Sequence, residues 1–286
     1  MEFLEILKVI LLGIVEGITE WLPVSSTGHL LLLDELLPLK ASEEFMEMFT
    51  VVIQLGAILA VLVLFFKKLL PLEKTADEQG KMKIVWKKDT LSLWLKILVA
   101  CLPAGIIGVL FDDFLDEHLY TPLVIAITLI LYGVAFLLVE KRNEKVQFKV
   151  DDVHRITYKE ALIIGVFQIL ALIPGTSRSG ATILGALLIG ISRPAGAEFT
   201  FFLAIPIMFA ASLLKILKFF IAGNSFAGGE IGYLVIGTAV AIIVSLLAIK
   251  FLMNFVKKHD FKPFGWYRIA LGLVVIGALV LPPLFA

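Results

Sequence analysis

The sequence is poor in cysteine and in charged side chains, and neither sign of charge is in excess. Its 286 residues include one cysteine, Cys101, which excludes a disulfide framework and a zinc site made of cysteines. Charged residues make up 17%, and 25 basic residues balance 25 acidic ones. A soluble domain carries about 25% charged residues. These shortages exclude an ordinary soluble enzyme and a nucleic-acid-binding protein with a basic surface.

Apolar residues make up 59% of the chain, more than a soluble protein of this length can bury. A helix crosses about 30 Å of hydrocarbon with about 20 mainly apolar residues. The stretches that meet this requirement are 46–66, 92–110, 121–139, 199–220, 231–253 and 268–284. We therefore predict an all-α polytopic membrane protein in which residues 1–286 form a single integral membrane domain.

Two further apolar stretches, residues 2–38 and 158–196, are interrupted by polar and helix-breaking residues. The first contains Trp-Leu-Pro followed by Ser-Ser-Thr-Gly-His, and the second contains Pro-Gly followed by Thr-Ser-Arg-Ser-Gly. Such residues are tolerated within a bilayer only where they line a cavity in the protein. We expect each stretch to be a re-entrant helix–loop–helix hairpin that enters the membrane and turns back.

The connections between the predicted spans alternate in charge. Residues 67–90 carry seven lysines, 140–160 carry six basic residues and 254–268 carry four, whereas 111–120 and 221–230 carry acidic residues and no basic ones. Because basic connections are retained in the cytoplasm, the three basic connections are predicted to be cytoplasmic. The first hairpin then opens to the outside and the second to the inside.

The two hairpins resemble each other when the sequence is shifted by 152 positions. Glu16 then lies over Gln168, and Ser25-Ser26-Thr27-Gly28 lies over Ser177-Arg178-Ser179-Gly180. Three spans follow each hairpin, and because three is odd the second copy must be inverted relative to the first. The sequence thus predicts two inverted-topology repeats, at about 1–145 and about 150–286, as in transporters. Chance similarity between apolar segments is the alternative.

Two carboxylates of the first hairpin lie where membrane proteins rarely carry charge. Glu16 and Glu20 are four residues apart, on one helix face at a separation of about 6 Å. Two like charges at this spacing require a cation or a histidine between them, or a proton on one of them. We expect them to bind a metal ion or to orient a histidine; the alternative is a helix at the membrane surface whose carboxylates are hydrated.

The first loop also brings a hydroxyl and an imidazole close together. His29 shares a short segment with the hydroxyls of Ser25, Ser26 and Thr27 and with two glutamates. These are the parts of an activated nucleophile: a hydroxyl, a base and a carboxylate that orients the base. His29 is alternatively the nucleophile itself, through a phosphohistidine. The residues alone leave both alternatives open. Thr27 also suits a role in helix capping.

The second loop has the composition of an anion site. Gly175 permits a tight turn, after which backbone N–H groups at a helix start can bind an anion. Arg178 adds a planar fork that fits phosphate, and Ser177, Ser179 and Thr182 add hydroxyl donors. The alternative is a simple break in a helix whose Arg178 extends to the membrane surface. The loop is not a P-loop, because the Gly-x4-Gly-Lys spacing is absent.

The two copies of the repeat have different chemistry. The first carries the acidic and imidazole groups, and the second has Gln168, Leu172 and Ala181 at the equivalent positions. Arg178 of the second copy lies over Ser26 of the first. Two loops that face each other would form one site for attack on a phosphoryl centre. This division favours a membrane-embedded phosphatase over a transporter.

With these motifs, the sequence resembles the undecaprenyl-diphosphate phosphatase family, also called the bacitracin-resistance protein family, over essentially its whole length. The first signature is Glu-x-x-x-Glu leading to Pro-x-Ser-Ser-Thr-Gly-His, and the second is Pro-Gly-x-Ser-Arg-Ser-x-x-Thr; both are complete, at Glu16–His29 and Pro174–Thr182. The resemblance implies removal of the terminal phosphate from undecaprenyl diphosphate, which recycles the lipid carrier of cell-wall precursors and confers bacitracin resistance. It also implies a divalent cation (Mg²⁺ or Ca²⁺) and a site facing the outside of the bacterial plasma membrane.

The same resemblance implies roles for individual residues. The catalytic residues would be Glu16, Glu20, Ser26, His29 and Arg178, of which Glu16 and Glu20 would also bind the cation. The expected substrate-binding residues are Ser25, Thr27, Gly175, Thr176, Ser177, Ser179 and Thr182. Arg193 and Glu198 are weaker candidates, better explained by structural roles.

Other functions are consistent with parts of the sequence. A polyprenyl-phosphate flippase or secondary transporter would use the same inverted repeat, and a non-enzymatic bacitracin-binding membrane protein would show no turnover. The expected partners are the lipid diphosphate and the bilayer, and no nucleic acid. Gly13 and Gly17 form a Gly-x-x-x-Gly pair that suits packing within one chain and between two, so a homodimer is one expectation.

Overall fold

The computed structural model describes residues 2–76, 82–226 and 228–282. The side chains of Asp112, Asp113 and Asp116, on which part of the predicted charge alternation rests, lie outside this description, as do Lys81 and the end of the last predicted span. The elements of the first half are α1 (Phe3–Thr19), α2 (Ser26–Leu36), α3 (Glu43–Leu64), α4 (Phe66–Leu69), β1 (Leu72–Ala76), β2 (Met82–Trp86), α5 (Lys88–Leu119) and α6 (Pro122–Asn143). Those of the second half are α7 (Tyr158–Ile169), α8 (Arg178–Leu188), α9 (Arg193–Ile221), α10 (Glu230–Phe255) and α11 (Lys262–Val275).

Six described helices are long and apolar enough to cross a membrane. They are Glu43–Leu64, Lys88–Phe111, Pro122–Asn143, Arg193–Ile221, Glu230–Phe255 and Lys262–Val280. Each overlaps one of the six predicted spans, which confirms an α-helical, multi-pass membrane protein. The two interrupted stretches are also pairs of helices joined by a loop: α1 with α2, and α7 with α8, the latter preceded by a 3₁₀ turn at Leu170–Leu172.

Two boundaries differ from the prediction. The acidic stretch 111–120 is mostly helical, because α5 continues to Leu119 and its last turn is supported by the ring of Phe114 stacked on His118 at 4.5 Å. The connection before α11 is shorter than predicted, because Pro263 in the first turn starts the helix early. Arg268 therefore lies within α11 and is fully buried, so its assignment to a cytoplasmic connection was wrong.

The lysine-rich stretch 67–90 is not a simple loop. It contains the short helix α4 and an antiparallel hairpin in which Leu72 pairs with Trp86 and Ala76 pairs with Met82. The sequence Met-Lys-Ile-Val-Trp alternates apolar and polar residues only in part, but its branched and aromatic side chains favour a strand. The fold is thus all-α apart from this hairpin, within the part of the chain that the structure describes.

The helices of the two halves pack against each other rather than in separate bundles. Helix α1 packs on α10, and α7 packs on α5. At both crossings a glycine allows the close approach: a Cβ on Gly13 would lie 2.7 Å from the carbonyl oxygen of Gly237, and one on Gly165 would lie 2.4 Å from that of Ala100. Gly13 and Gly17 therefore serve packing within this chain, since Gly17 also meets Ala241 and Val244 of α10.

Two charged residues considered as weaker site candidates form ion pairs elsewhere. Arg193 donates from Nε and Nη2 to the buried carboxylate of Glu140, which also accepts from the backbone N–H of Phe261 at 2.9 Å. Glu198 accepts from Lys68 at 2.6 Å. These contacts connect α9 to α6 and α4, which is the structural role predicted for both residues.

Candidate active site

The two hairpin loops end in the same unusual way. Ser25 and Ser177, the residues before α2 and α8, have φ angles of 73° and 70°, and they are the non-glycine residues with positive φ in the described parts of the chain. Each serine side chain caps its helix, accepting from Gly28 N at 3.4 Å or from Gly180 N at 3.1 Å. A positive φ costs a non-glycine residue about 1–3 kcal/mol, and such strain is typical of functional sites.

Glu20 joins the two loops. One carboxylate oxygen, Oε1, accepts from Arg178 Nη2 at 2.7 Å, and the other, Oε2, accepts from Ser26 Oγ at 3.1 Å. Its backbone oxygen accepts from Ser179 Oγ at 3.1 Å. Glu20 and Ser26 of the first hairpin and Arg178 and Ser179 of the second therefore form one hydrogen-bonded cluster, so the two loops lie against each other.

The Arg178 guanidinium is held on several sides. Nη1 donates to the Thr200 carbonyl oxygen at 2.8 Å, Nη2 also approaches Met208 Sδ at 3.4 Å, and the group lies 5.8 Å from the ring centre of Trp21. Its Nε is buried and has no hydrogen-bond partner among the described residues. These contacts point the cation into the cluster and away from the membrane surface, so the alternative of a surface-seeking arginine is not supported.

His29 is oriented by hydrogen bonds at both ring nitrogens. Nδ1 lies 2.7 Å from the carbonyl oxygen of Ser25, and Nε2 lies 2.7 Å from the hydroxyl of Tyr267. A carbonyl oxygen only accepts, so Nδ1 carries the proton of the neutral ring and Nε2 accepts from the tyrosine O–H. The Tyr267 ring also stacks on the imidazole at 5.6 Å. The hydroxyl of Ser26 is directed to Glu20, and no hydrogen bond joins it to His29 within the described residues.

Glu16 lies deeper than Glu20 and is fully buried. Both of its carboxylate oxygens lack a hydrogen-bond partner in the part of the chain that the structure covers, and so do both polar atoms of the equivalent Gln168. A buried carboxylate without a partner is costly, and a cation would compensate it. Among the described residues, no three His, Cys, Asp or Glu side chains are grouped closely enough to hold a metal ion by themselves.

The remaining predicted substrate-binding residues, from both hairpins, differ in their surroundings. Gly175 has a φ of 85°, and a Cβ there would lie 2.2 Å from Thr128 Oγ1, so only glycine fits. Ser177 Oγ and Ser179 Oγ are 3.2 Å apart at the start of α8. Thr182 donates to the Arg178 carbonyl oxygen at 2.9 Å and accepts from Thr200 at 2.9 Å, so its hydroxyl is used in packing α8 against α9. Thr27 is half-buried in the first turn of α2.

Arg268 of α11 was not identified as a site residue from the sequence. Its side chain donates from Nη1 to the Pro23 carbonyl oxygen at 3.2 Å and from Nη2 to those of Gly175 and Thr176 at 2.9 Å each. One buried arginine thus holds both loops. Arg268 begins the last predicted span, and an arginine in an apolar stretch is itself a signal of a functional site.

Tyr267, the neighbour of Arg268, was missed as well. It belongs to no motif, and a tyrosine at the end of a membrane helix is usually an interfacial residue. Its contact with His29 joins residues 238 positions apart, which a single sequence does not reveal. Helix α11 is therefore a third element of the site, beside the two hairpins.

Comparisons with known proteins identify the family. The model of the family described as bacitracin resistance protein BacA matches residues 9–274. An undecaprenyl-diphosphatase of Enterococcus faecalis is 62% identical over 276 residues, which are 96% of this chain and 98% of that protein. Proteins of the same name from Lachnoclostridium phytofermentans and Acetivibrio thermocellus are 59% and 56% identical, with 98% and 96% of this chain and 99% and 97% of those proteins covered. The chain belongs to the bacitracin resistance protein family.

Proposed function

We propose that the cluster formed by the two loops and α11 is where this protein removes the terminal phosphate of undecaprenyl diphosphate. The products are undecaprenyl phosphate and inorganic phosphate, as the name of its relatives indicates. The observation that carries the assignment of the site is the contact of Glu20 with both Ser26 and Arg178. It places a hydroxyl, a carboxylate and a cation that can bind phosphate within one hydrogen-bonded group.

The contacts support a role for each group. Arg178 and the N-terminal end of α8 bind the phosphate oxygens, where the charge of the transition state develops. Glu20 accepts the Ser26 proton if Ser26 attacks the terminal phosphorus, because Glu20 is the hydroxyl's partner. His29 attacks through Nε2 in the other route, which requires the Tyr267 hydroxyl to release that nitrogen. In either route the bond from the terminal phosphorus to the bridging oxygen breaks and undecaprenyl phosphate leaves. Water then attacks the phosphorus of the phosphoenzyme, which frees the side chain and releases inorganic phosphate.

A divalent cation fits best at Glu16. This carboxylate is buried with both oxygens unpaired among the described residues, whereas Glu20 is already bound to Arg178 and Ser26. Glu16 would hold the ion, and Glu20, one helical turn away, would be the second carboxylate near it. A bound cation would neutralise charge on the diphosphate.

We also infer an inverted repeat from the pattern of helix contacts. In such a repeat α1 corresponds to α7, and α5 corresponds to α10. Exchanging the two halves then turns the contact of α1 with α10 into a contact of α7 with α5, and both contacts occur. The contacts of α3 with α9 and of α6 with α11 are their own equivalents under the same exchange. Gly13 and Gly165, 152 positions apart, lie at the two exchanged crossings. This regularity favours a pseudo-two-fold axis over chance similarity.

The polyprenyl tail fits an apolar groove between α5 and α9. The groove has a volume of about 740 Å³ and is lined by Leu98, Cys101, Leu102, Gly105, Ile106, Val109, Leu110, Pro206, Ile207 and Ala210. Met208 of α9 contacts Arg178 and lies in the sequence between Ile207 and Ala210, which line the groove, so the groove lies beside the phosphate-binding cation. Open space surrounds Gly105, since a Cβ there would meet no atom within 4 Å.

The groove can be tested by filling it. We expect Gly105→Leu to raise KM for undecaprenyl diphosphate by about tenfold and to leave KM for isopentenyl diphosphate within about twofold, because a five-carbon tail is too short to fill the groove. Gly277→Leu is the matched control, because its Cβ also meets no atom within 4 Å. Equal effects on the two substrates would exclude this tail site while leaving the phosphatase function intact.

The function itself is tested by phosphate release from a polyprenyl diphosphate with purified protein in detergent. Wild-type protein should turn over, and Glu20→Ala, His29→Ala and Arg178→Ala should lose at least about 100-fold in kcat/KM. His118→Ala and Arg155→Ala are controls, because both side chains are exposed. Release by wild-type protein at the background rate would exclude the phosphatase, and full release by the three site variants would exclude this site. A flippase predicts lipid movement that does not depend on Ser26 or His29.

A further inference from the structure

The hairpin β1–β2 has one apolar face that the rest of the described protein does not cover. Met82, Ile84 and Trp86 alternate along β2 and therefore point to the same side. Their side chains are 62%, 67% and 62% exposed. Leu72 lies opposite Trp86 on this face. The other face carries Glu73, Thr75 and Lys83 with the half-buried Val85.

The hairpin is attached to the membrane domain at both ends. Helix α4 follows the span α3 directly and ends at Leu69, three residues before β1, and α5 begins at Lys88, two residues after β2. The backbone N–H of Lys87 donates to the Pro71 carbonyl oxygen at 2.9 Å, which closes the base of the hairpin. Strands of five residues reach about 17 Å. The apolar face therefore cannot move far from the ends of the two spans.

The charges around this face are mainly positive. In residues 67–76 and 82–89 the lysines are Lys67, Lys68, Lys74, Lys83, Lys87 and Lys88, against Glu73 and Asp89. Lys74 lies on the apolar face itself, paired with Ile84. An apolar surface bordered by lysines, with a tryptophan at its edge, matches the boundary between the headgroups and acyl chains of an anionic bilayer.

We propose that the β1–β2 hairpin lies on the bilayer at the basic ends of the spans, with Met82, Ile84 and Trp86 inserted among the lipids and the lysines at anionic headgroups. The ligand is the surface of an anionic phospholipid membrane. The hairpin is separate from the phosphatase site, and this proposal does not depend on the function of that site. It would fix the position of α5, which follows the hairpin and lines the apolar groove.

The single native cysteine makes the test direct. In a Cys101→Ala background, Ile84→Cys and Thr75→Cys place an environment-sensitive fluorophore on opposite faces of the same hairpin without changing its charge. Each protein is reconstituted in nanodiscs of phosphatidylcholine alone or with phosphatidylglycerol added. The measurements are the emission maximum and the quenching by lipids that carry a nitroxide on the acyl chain.

We expect the label at position 84 to emit at shorter wavelength and to be quenched roughly threefold more than the label at position 75. Phosphatidylglycerol should increase this difference, and high salt should reduce it. Equal quenching at the two positions would overturn the proposal. A blue shift at position 84 that increases with protein concentration, without quenching by the lipid nitroxide, would also overturn it, because it would indicate that a second copy of the protein covers the apolar face. Unchanged quenching with and without phosphatidylglycerol would overturn the choice of an anionic surface. A melting temperature equal to that of the Cys101→Ala parent protein reports that each variant is folded.

Discussion

Arg178 and Glu20 form a salt bridge of 2.7 Å between loops that are 158 positions apart in the sequence. Both side chains are nearly buried, with 13% and 8% of their surface exposed. Removing charges from water is costly unless each is paired and hydrogen-bonded. Here the carboxylate also accepts from Ser26, and the guanidinium also donates to Thr200. The pair therefore holds the segment before α2 and the start of α8 in a fixed relation.

The first prediction concerns the planar shape of the Arg178 guanidinium. We expect Arg178→Lys to lower kcat/KM by about 100-fold, because an ammonium group cannot contact Thr200, Glu20 and a phosphate with one planar fork. Phosphate release over a range of substrate concentrations measures the effect. Arg155→Lys, at an exposed pair with Asp151, is the matched control and should stay within about twofold of wild type. Kinetics close to wild type for Arg178→Lys would contradict the role of the fork.

The second prediction concerns Tyr267. Replacement by phenylalanine keeps the ring that stacks on His29 and removes the hydroxyl that donates to Nε2. One hydrogen bond to a neutral group is worth about 1 kcal/mol, so we expect kcat to fall by about fivefold, with little change in melting temperature, if the hydroxyl only orients the ring. A rise in kcat is expected instead if Nε2 attacks, because that route requires the hydroxyl to release the nitrogen. Tyr158→Phe, at an exposed position on α7, is the control. A kcat equal to wild type would show that Tyr267 does not orient the histidine.

The third prediction concerns the divalent cation proposed at Glu16. We expect a chelator to abolish phosphate release and added Mg²⁺ or Ca²⁺ to restore it, because Glu16 is buried with both oxygens unpaired among the described residues. The same cation should raise the melting temperature of the wild-type protein, as any ligand of the native state does. Glu16→Gln should lose this stabilisation, and the exposed control Glu35→Gln should keep it. Full activity in excess chelator would exclude the cation at Glu16; the contacts of His29 with Ser25 and Tyr267 do not favour orientation of the histidine by the glutamates.

The fourth prediction concerns the crossing of α5 and α7. Gly165→Ala should lower the free energy of unfolding by about 1–3 kcal/mol, because its Cβ would lie 2.4 Å from the Ala100 carbonyl oxygen and the helices would have to separate. Gly105→Ala, on α5 itself, adds the same methyl group where no atom lies within 4 Å. Melting temperatures of the two variants in detergent make the comparison. Equal values would show that the close approach at Gly165 does not stabilise the fold.

The sequence predicted the parts of this structure whose signal is local. A span is recognised by its own apolar residues, and each hairpin loop by its own breaking residues, so the six spans and both loops were found. The sequence also predicted that the two loops face each other, because the predicted repeat gives them equivalent positions, and the contact of Glu20 with Arg178 agrees with this. The prediction that the loops face each other needed no information about the packing of individual helices.

The unpredicted parts depend on contacts between distant residues. Tyr267 has no motif, and its role depends on the packing of α11 against α2 and α6. Arg268 was placed in a basic connection because a count of lysines and arginines does not distinguish a buried guanidinium from a hydrated one. The hairpin β1–β2 was not predicted. The many lysines of this stretch indicated a surface loop, although Ile84 and Trp86 favour a strand. The pairing of Ser26 with Glu20 rather than His29 depends on side-chain directions that only coordinates supply.

The last prediction concerns the direction in which the chain crosses the membrane. The connection after α9 has no lysine or arginine, whereas the connection between α6 and α7 is basic, so the positive-inside rule places them on opposite sides. In a Cys101→Ala background, Ser225→Cys should react with a membrane-impermeant maleimide in intact cells, and Lys145→Cys should react only after permeabilisation. Both positions are exposed, so a failure to react reports the side of the membrane and not burial. Labelling of Lys145→Cys in intact cells, with Ser225→Cys protected, would invert the topology and place the opening of the first hairpin in the cytoplasm.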